Sequence, residues 1–447
     1  MKIVIVGAGA VGTHLADRLS QENHDVTVIE KNKERLRNIQ DDMDILTVEG
    51  NGASPKNLTE AGIDDCDLMM ALTNSDETNI VACLSATKSQ VPFRIARVSN
   101  MDYYLLDNWL AENNLGVDLL VNPEFECALQ ISKLITVPGA SDVAEFAGGR
   151  ALMVGLQVQA DAPCLVESLE EMNRKRDRMD FLVGSITRGN QTIIPSGQTR
   201  LEAGDMLFCI VMRPALDEVY AFCGLKREPV RRVMILGGSK VAVYLCKMLE
   251  RKKMAATLIE NDEDRAEELA EELDNTLVIQ GEATNLELWE QEGLAETGAF
   301  LALTTDDEEN LLSGLIARNH KVPVVIALLE KLSYVPLVNK VGVNTAVSSR
   351  LAIVDTILKY VRRGNILSLA TLKNNEAEII EFMATEHCKL LNTPIKDLKV
   401  PPEILFGMVS RGKDIFIPTG YTQFQEDDKV VCIAGPTSRK YLEKVFA

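Results

Sequence analysis

Two textures of apolar and polar residues alternate along this chain. Residues 1 to about 118 carry short apolar runs, most of them rich in β-branched residues, at 3–6, 25–29, 44–48, 68–72 and 94–98, separated by stretches with apolar residues three or four apart. That pattern predicts five strands of a parallel sheet joined by crossover helices. Pro123 then opens a long apolar helix over 124–135, stopped by Val137-Pro-Gly139. From 140 to 224, short strands at 181–187, 191–194 and 205–211 are spaced by turn residues such as Arg188-Gly-Asn190, which predicts a small α+β module.

Both textures return. The run KIVIVGAGAVGTHLADRL from Lys2 is matched by RVMILGGSKVAVYLCKML from Arg232, with Gly7 on Gly237 and Glu30 on Glu260 at an offset of 230. After one inserted residue, Gly50 falls on Gly281, Thr73 on Thr304, Asp76 on Asp307 and Asn79 on Asn310, each at an offset of 231. The small module repeats as well: GSITRGNQTIIPSG at 184–197 returns as GMVSRGKDIFIPTG at 407–420, and Asp205 as Asp428, at an offset of 223. The expected class is α/β: two Rossmann-like parallel-sheet nucleotide-binding domains at 1–118 and 233–348, each followed by a small α+β subdomain at 140–224 and 365–447. Connecting helices at 119–139 and 349–364 and a basic linker at 225–232 complete the chain.

Composition narrows the function. No apolar run approaches the roughly 18 residues of a spanning helix. Met1 is followed at once by a strand pattern, which leaves no room for a signal peptide, so a cytoplasmic protein is expected. Nine cysteines without a CxxC pair read as small buried hydrophobes, not as disulfides or a metal site. A formal net charge of −19 opposes nucleic acid and anionic lipid, so any attachment to a membrane needs a protein partner.

The chemistry lies in the glycine loop. Gly7-x-Gly9-x-x-Gly12 follows a strand and opens a helix. Gly7 permits the tight turn, Gly9, with Ala10 and Val11, lets backbone approach a pyrophosphate, and Gly12 lets helix and sheet pack closely. The phosphates would then meet the helix N-terminus. Glu30, at the end of the second strand, suits ribose hydroxyls and would repel a 2′-phosphate, which favours NAD(H) over NADP(H); Lys31 beside it blunts that preference. Gly50 and Asn51 form a loop able to meet the adenine end. Thr73, Asn74, Asp76 and Asn79 follow the fourth strand, where ligands of doubly wound sheets bind.

The second copy departs at the loop, with Gly237, Gly238, Ser239 and Ala242 where the first has Gly7, Ala8, Gly9 and Gly12. Glu260, Gly281, Glu282 and Thr304 remain. That site is weakened, altered in ligand or merely structural, and Lys240 is either an exposed lysine with no role or a phosphate contact. No catalytic constellation accompanies either loop: His14, His24, His320 and His387 lie apart, and no GxSxG, Walker lysine or metal cluster occurs.

With GAGAVGTHLA and Glu30, GNGASP, ALTNSDETN and the duplicated RG…IP.G module, the chain resembles the TrkA family over its whole length. These are peripheral regulatory subunits of bacterial and archaeal Trk potassium transport systems, built from two regulator-of-conductance (RCK, also KTN) domains. The resemblance implies a non-enzyme that binds NAD(H) and ATP or ADP. It implies a homotetrameric ring of eight lobes on the inner face of the plasma membrane, held by a TrkH-type potassium-translocating protein. It carries the phosphate loop onto Gly7, Gly9 and Gly12, the ribose acid onto Glu30, the adenine-side loop onto Gly50 and Asn51, and the far end of the dinucleotide onto Thr73 and Asn74. It also places Arg97 close to ligand phosphates, where the second half has Leu328. Nucleotide on the first lobe would then alter the packing of the long helices at 124–135 and 351–361. Two rival readings are a regulator of another cation channel or efflux system and an NAD-dependent oxidoreductase.

Overall fold

The computed structural model describes residues 1–105, 116–175, 180–189, 191–282, 284–331, 333–334, 338, 343, 345–361, 366–371, 377–435 and 438–446. Asn190 of the expected turn and 362–364 of the expected second connecting helix lie outside the described residues.

The first lobe is a parallel sheet of β1 (Lys2–Val6), β2 (Asp25–Glu30), β3 (Leu46–Glu49), β4 (Leu68–Ala71), β5 (Phe93–Arg97) and β6 (Leu119–Val121), in the order β3-β2-β1-β4-β5-β6. The five runs read from the sequence are all strands. The sixth, β6, lies within the stretch expected to be connecting helix. Its three residues are too few to show a period, and pairing with β5 from Ile95↔Leu119 to Arg97↔Val121 makes it a strand.

The small module that follows is an antiparallel sheet of β7 (Val143–Phe146), β8 (Ala151–Gln157), β9 (Phe181–Arg188), β10 (Gln191–Ile193) and β11 (Met206–Met212). The second lobe repeats the first with β12 (Arg232–Leu236), β13 (Ala255–Glu260), β14 (Thr276–Gln280), β15 (Ala299–Ala302), β16 (Val324–Leu328) and β17 (Thr345–Val347), in the same relative order. Arg232, expected to end the linker, is the first residue of β12. The second module consists of β18 (Ile366–Thr371), β19 (Glu378–Met383), β20 (Ile404–Arg411), β21 (Asp414–Phe416) and β22 (Lys429–Ala434).

The repeated module residues have structural reasons. Arg188 donates to both carboxylate oxygens of the buried Asp205 at 2.8 Å, and Arg411 does the same to Asp428 at 2.8 and 2.7 Å. These bonds tie the end of one strand to the turn before another in each module. Gly184 and Gly407 mark where the two modules touch: a methyl group on Gly184 would lie 3.0 Å from Ile433, and one on Gly407 2.2 Å from Ile210. Phe146, Phe208 and Ile210 of one sheet share a core there with Ile379, Met408 and Ile433 of the other.

The connecting helices bind the halves most tightly. Pro123–Thr136 starts with Pro at its first position and is capped by Asn122, which accepts from Phe125 N–H. Its Cys127, Ala128, Ile131, Leu134 and Ile135 fill the core of the second lobe, beside Leu245, Leu249 and Leu301. The second connecting helix, Ser349–Val361, sends Ile353, Val354, Ile357, Leu358 and Val361 into the core of the first lobe, beside Ile3, Val11 and Leu15. Each lobe therefore completes its core with a helix from the other half. The two helices also meet each other, with Thr356 Oγ1 donating to Glu126 Oε2 at 2.9 Å.

Candidate functional site

In the first lobe, β1 and β4 are neighbours whose crossovers run to opposite sides, which leaves a crevice beyond their carboxyl ends. Gly7 turns the chain there with φ +105°, a conformation open to glycine, and its N–H donates to Ile29 O at 2.8 Å. A methyl group on Gly12 would lie 2.0 Å from Gly7 O, so the helix Ala10–Gln21 packs against its own loop. Gly9 is the N-cap of that helix, with no side chain to satisfy the first free N–H groups and open space where a Cβ would stand. An uncapped helix N-terminus facing open space suits an anion.

Glu30 is fixed from both sides. Its Oε2 accepts from Ala8 N–H at 2.7 Å and its Oε1 from Asn32 N–H at 2.9 Å. Burial alone would raise its pKa, but the N–H groups of Asn32, Ala8 and Lys31 and the charge of Arg35 prevail and hold it below the ordinary glutamate value. The carboxylate is therefore ionised throughout the neutral range. Lys31 is exposed beside it. Gly50 N–H donates to Glu30 O at 2.9 Å, Asn51 Oδ1 accepts from Ala53 N–H, and Asn57 Nδ2 donates to Asn51 O at 2.9 Å, which sets the loop after β3 against the end of β2. Asn57 gave no signal in the sequence because its contact is with backbone.

The residues after β4 divide into two groups. Asn74 and Arg97 face the crevice, with Arg97 Nη1 donating to Asn74 Oδ1 at 3.1 Å. Thr73, Asp76 and Asn79 instead brace it. Asn79 is fully buried: its Oδ1 accepts from Thr73 N–H and Oγ1, and its Nδ2 donates to Thr73 O and Arg97 O, all within 3.0 Å. The Asp76 carboxylate accepts from Ser99 and Asn100 N–H, and Ser75 caps the helix Asp76–Ala86. Asn310 and Asp307 make the matching bonds in the second lobe, to Thr304 and Leu328 and to Glu330 and Lys331. Replacing Asn79 by alanine leaves buried partners unsatisfied, at about 1–3 kcal/mol for each group. A melting temperature lowered by several degrees is therefore expected in the absence of any nucleotide; an unchanged one would mean that Asn79 is not a brace.

The second lobe repeats the frame with a different loop. Gly237 has φ +86°, and Glu260 accepts from Gly238 and Asp262 N–H as Glu30 does from Ala8 and Asn32. Gly281 packs on Leu288, and Glu282 is exposed. Ser239, where the first lobe has Gly9, caps its own helix Lys240–Arg251 by accepting from Ala242 N–H at 3.4 Å. Its hydroxyl occupies the position that the first lobe leaves open. A smaller pocket of 260 Å³ remains there, lined by Gly237, Gly238, Ser239, Glu260 and Thr304 among others.

The two loops face one another across a shared cleft of 480 Å³, with Gly9, Ala10 and Val11 on one side and Ser239, Lys240 and Thr304 on the other. Four cations line it, Arg35, Arg97, Lys240 and Arg350, against two carboxylates, Glu124 and Glu330. A surplus of positive charge in a chain of net −19 favours an anionic ligand. Arg97 Nε is buried there without a hydrogen-bond partner, and Arg97 Nη2 stands 3.9 Å from Glu124. Leu328 lacks the charge of Arg97, but Arg350 stands on the same wall of the second lobe, 3.0 Å from Glu330. Sequence reasoning missed Arg350. Glu124 and Arg350 are each the second residue of a connecting helix, and that reversal of charge was the available signal.

The model of the TrkA-N domain family matches residues 3–123 and again 233–349, and that of the TrkA-C domain family matches 379–447. The chain is 34% identical over 452 residues to the Trk system potassium uptake protein TrkA of Vibrio alginolyticus, covering 100% of this chain and 98% of that protein. It is 35% identical to the TrkA of Halomonas elongata, covering 96% and 95%. Among solved structures, the GsuK RCK domain superposes with a TM-score of 0.61 at 17% identity, covering 100% of this chain and 94% of that one. A GsuK channel bound to NAD gives the same TM-score and identity, covering 100% and 78%. These two carry the likeness of fold, and the full-length relatives carry the family: this chain belongs to the TrkA family of Trk system potassium uptake proteins.

Proposed function

We propose that this chain is a peripheral regulatory subunit that binds NAD(H) in its first lobe, with ATP or ADP competing there, and gates potassium uptake through a TrkH-type membrane protein. It performs no chemistry on its ligand. The observation that carries the reading is the contrast between two helix N-termini, one left open by Gly9 and the other closed by Ser239. The fixed carboxylate of Glu30 supports NAD(H) over NADP(H). Four such chains form a ring of eight lobes on the inner face of the plasma membrane. No helix among the described residues is long and apolar enough to cross a membrane, which supports attachment through the partner.

A ligand shifts a two-state assembly only as far as its affinities for the two states differ. Here the coupling runs through shared cores, because Val11 beside the glycine loop packs in one cluster with the second connecting helix. Calorimetric titration with NADH, NAD, ATP and ADP should give binding to one lobe per chain. Potassium flux in vesicles holding the TrkH-type subunit should then change with nucleotide only when this chain is present. Saturating nucleotide that leaves flux unchanged would refute the gating role, and steady consumption of NADH with a metabolite would restore the oxidoreductase.

A further inference from the structure

Each parallel sheet ends in an unpaired strand, and the two ends are not equally protected. β3 and β14 hold matching places at the rim of their sheets, each paired on one side only among the described residues. β3 has four residues, ends in Glu49, which is paired with Lys33 at 3.2 Å, and has Thr47 bonded to Gln40. β14 has five, Thr276-Leu-Val-Ile-Gln280, with no charge, no proline and no break in its register against β13. Leu277 is 55% exposed on it. Proteins normally blunt such an edge with a charge, a proline or a bulge, because it is a template for pairing with another strand. β14 contains none of the three.

Its guard lies to either side and is selective. Val278 and Ile279 point to opposite faces of the sheet, where Val278 packs in one core with Leu269 of the helix Glu263–Glu272, and Ile279 in another with Leu286 and Leu288 of the helix Leu286–Gln291. Residues 261–296, which hold these elements, carry thirteen acids against one base, Arg265, a net −12 of the chain's −19. Their counterparts at 31–65 carry eight acids against five bases, a net of only −3. Glu268 is paired with Arg265 and Glu272 with Lys247, but Glu267, Glu271, Asp274, Glu287 and Glu290 are exposed and form no ion pair among the described residues. Two copies of this edge repel each other, and an anionic membrane surface is repelled as well. A strand rich in lysine and arginine is attracted. Loops on the cytoplasmic side of membrane proteins have that composition. We propose that β14 and its acidic flanks dock a basic extended segment from the cytoplasmic side of the membrane partner, which joins the sheet as a further strand. This rests on the attachment to a membrane protein proposed above and assigns its surface.

The test uses the full chain and vesicles of neutral phosphatidylcholine holding the TrkH-type protein. The native chain should sediment with these vesicles and not with empty ones. Glu271→Lys, Asp274→Lys and Glu287→Lys together should weaken that binding by about tenfold or more, with NADH affinity and circular dichroism unchanged. All nine native cysteines are buried, so Leu277→Cys adds the exposed thiol, and Leu46→Cys on β3 serves as its control. A maleimide should modify both in the free chain, and the partner should shield Leu277→Cys alone. This second measurement decides the matter if the lysine variant fails to fold. Native affinity in a folded lysine variant, or equal modification of Leu277→Cys with and without the partner, would overturn this surface and leave the attachment standing. Leu277→Cys shielded already in the free chain would also overturn it, since a second copy would then cover the edge. A native chain that never sediments with the vesicles would overturn the attachment and this inference together.

Discussion

Gly9→Asp is expected to abolish nucleotide binding in the first lobe while leaving the protein folded. Gly9 has φ −71° and ψ 178°, the backbone conformation an aspartate N-cap prefers, and nothing lies within 4 Å of an added Cβ. The new carboxylate would cap the helix Ala10–Gln21 and stabilise it by about a few tenths of a kcal/mol. It would also place a negative charge where the proposed function puts the pyrophosphate. Two like charges about 4 Å apart near a protein surface repel by about 4 kcal/mol. Each 1.4 kcal/mol is about tenfold in affinity, so a loss of at least about 100-fold for NADH is expected. Ser239→Asp exchanges one cap for another on a helix that is already capped and should change binding little. Titration of NADH into both variants, with melting curves, checks this. Equal losses in the two would mean that both loops bind, and full retention in Gly9→Asp would remove the phosphate from the first loop.

The contrast between these two variants rests on features of unequal legibility. The strands, the repeat and the glycine loop could be read because each leaves a local mark, either a period along the chain or a residue type in fixed order. Ser239 could be read as an obstruction, but its capping of Ala242 depends on a rotamer that no pattern encodes. Asn79 shows the limit from the other side. A polar residue after the fourth strand serves equally well for touching a ligand or for bracing two strand ends, and its recurrence as Asn310 fits both; only the bonds to Thr73 and Arg97 give it the second role. Arg350 was hidden because the comparison of halves followed strand positions, whereas the charge had moved from a strand to a helix.

The exchange of connecting helices was the least legible feature and has the larger consequence for stability. Periodicity shows that Ser349–Val361 has an apolar face but not which core receives it, and proximity along the chain suggests the wrong lobe. Ile357 lies 350 residues from Gly7, yet it is fully buried in the same cluster as Ile3, Val11 and Leu15. Ile357→Asp should therefore disable nucleotide binding in the first lobe without touching the site. The variant loses about 1.5–3 kcal/mol of apolar burial and leaves a buried charge without a partner, at about 3–5 kcal/mol. Together these approach the roughly 5–15 kcal/mol that holds an ordinary domain. Ile357→Val, which removes one methyl group, should cost only about 0.5–1.5 kcal/mol and keep binding. Limited proteolysis should cut within 1–118 in the aspartate variant, and NADH titration should show the binding lost. NADH bound at native affinity by a protease-resistant Ile357→Asp would place this helix outside the first core. It would also remove the route by which a ligand on the first lobe could move the second half of the chain.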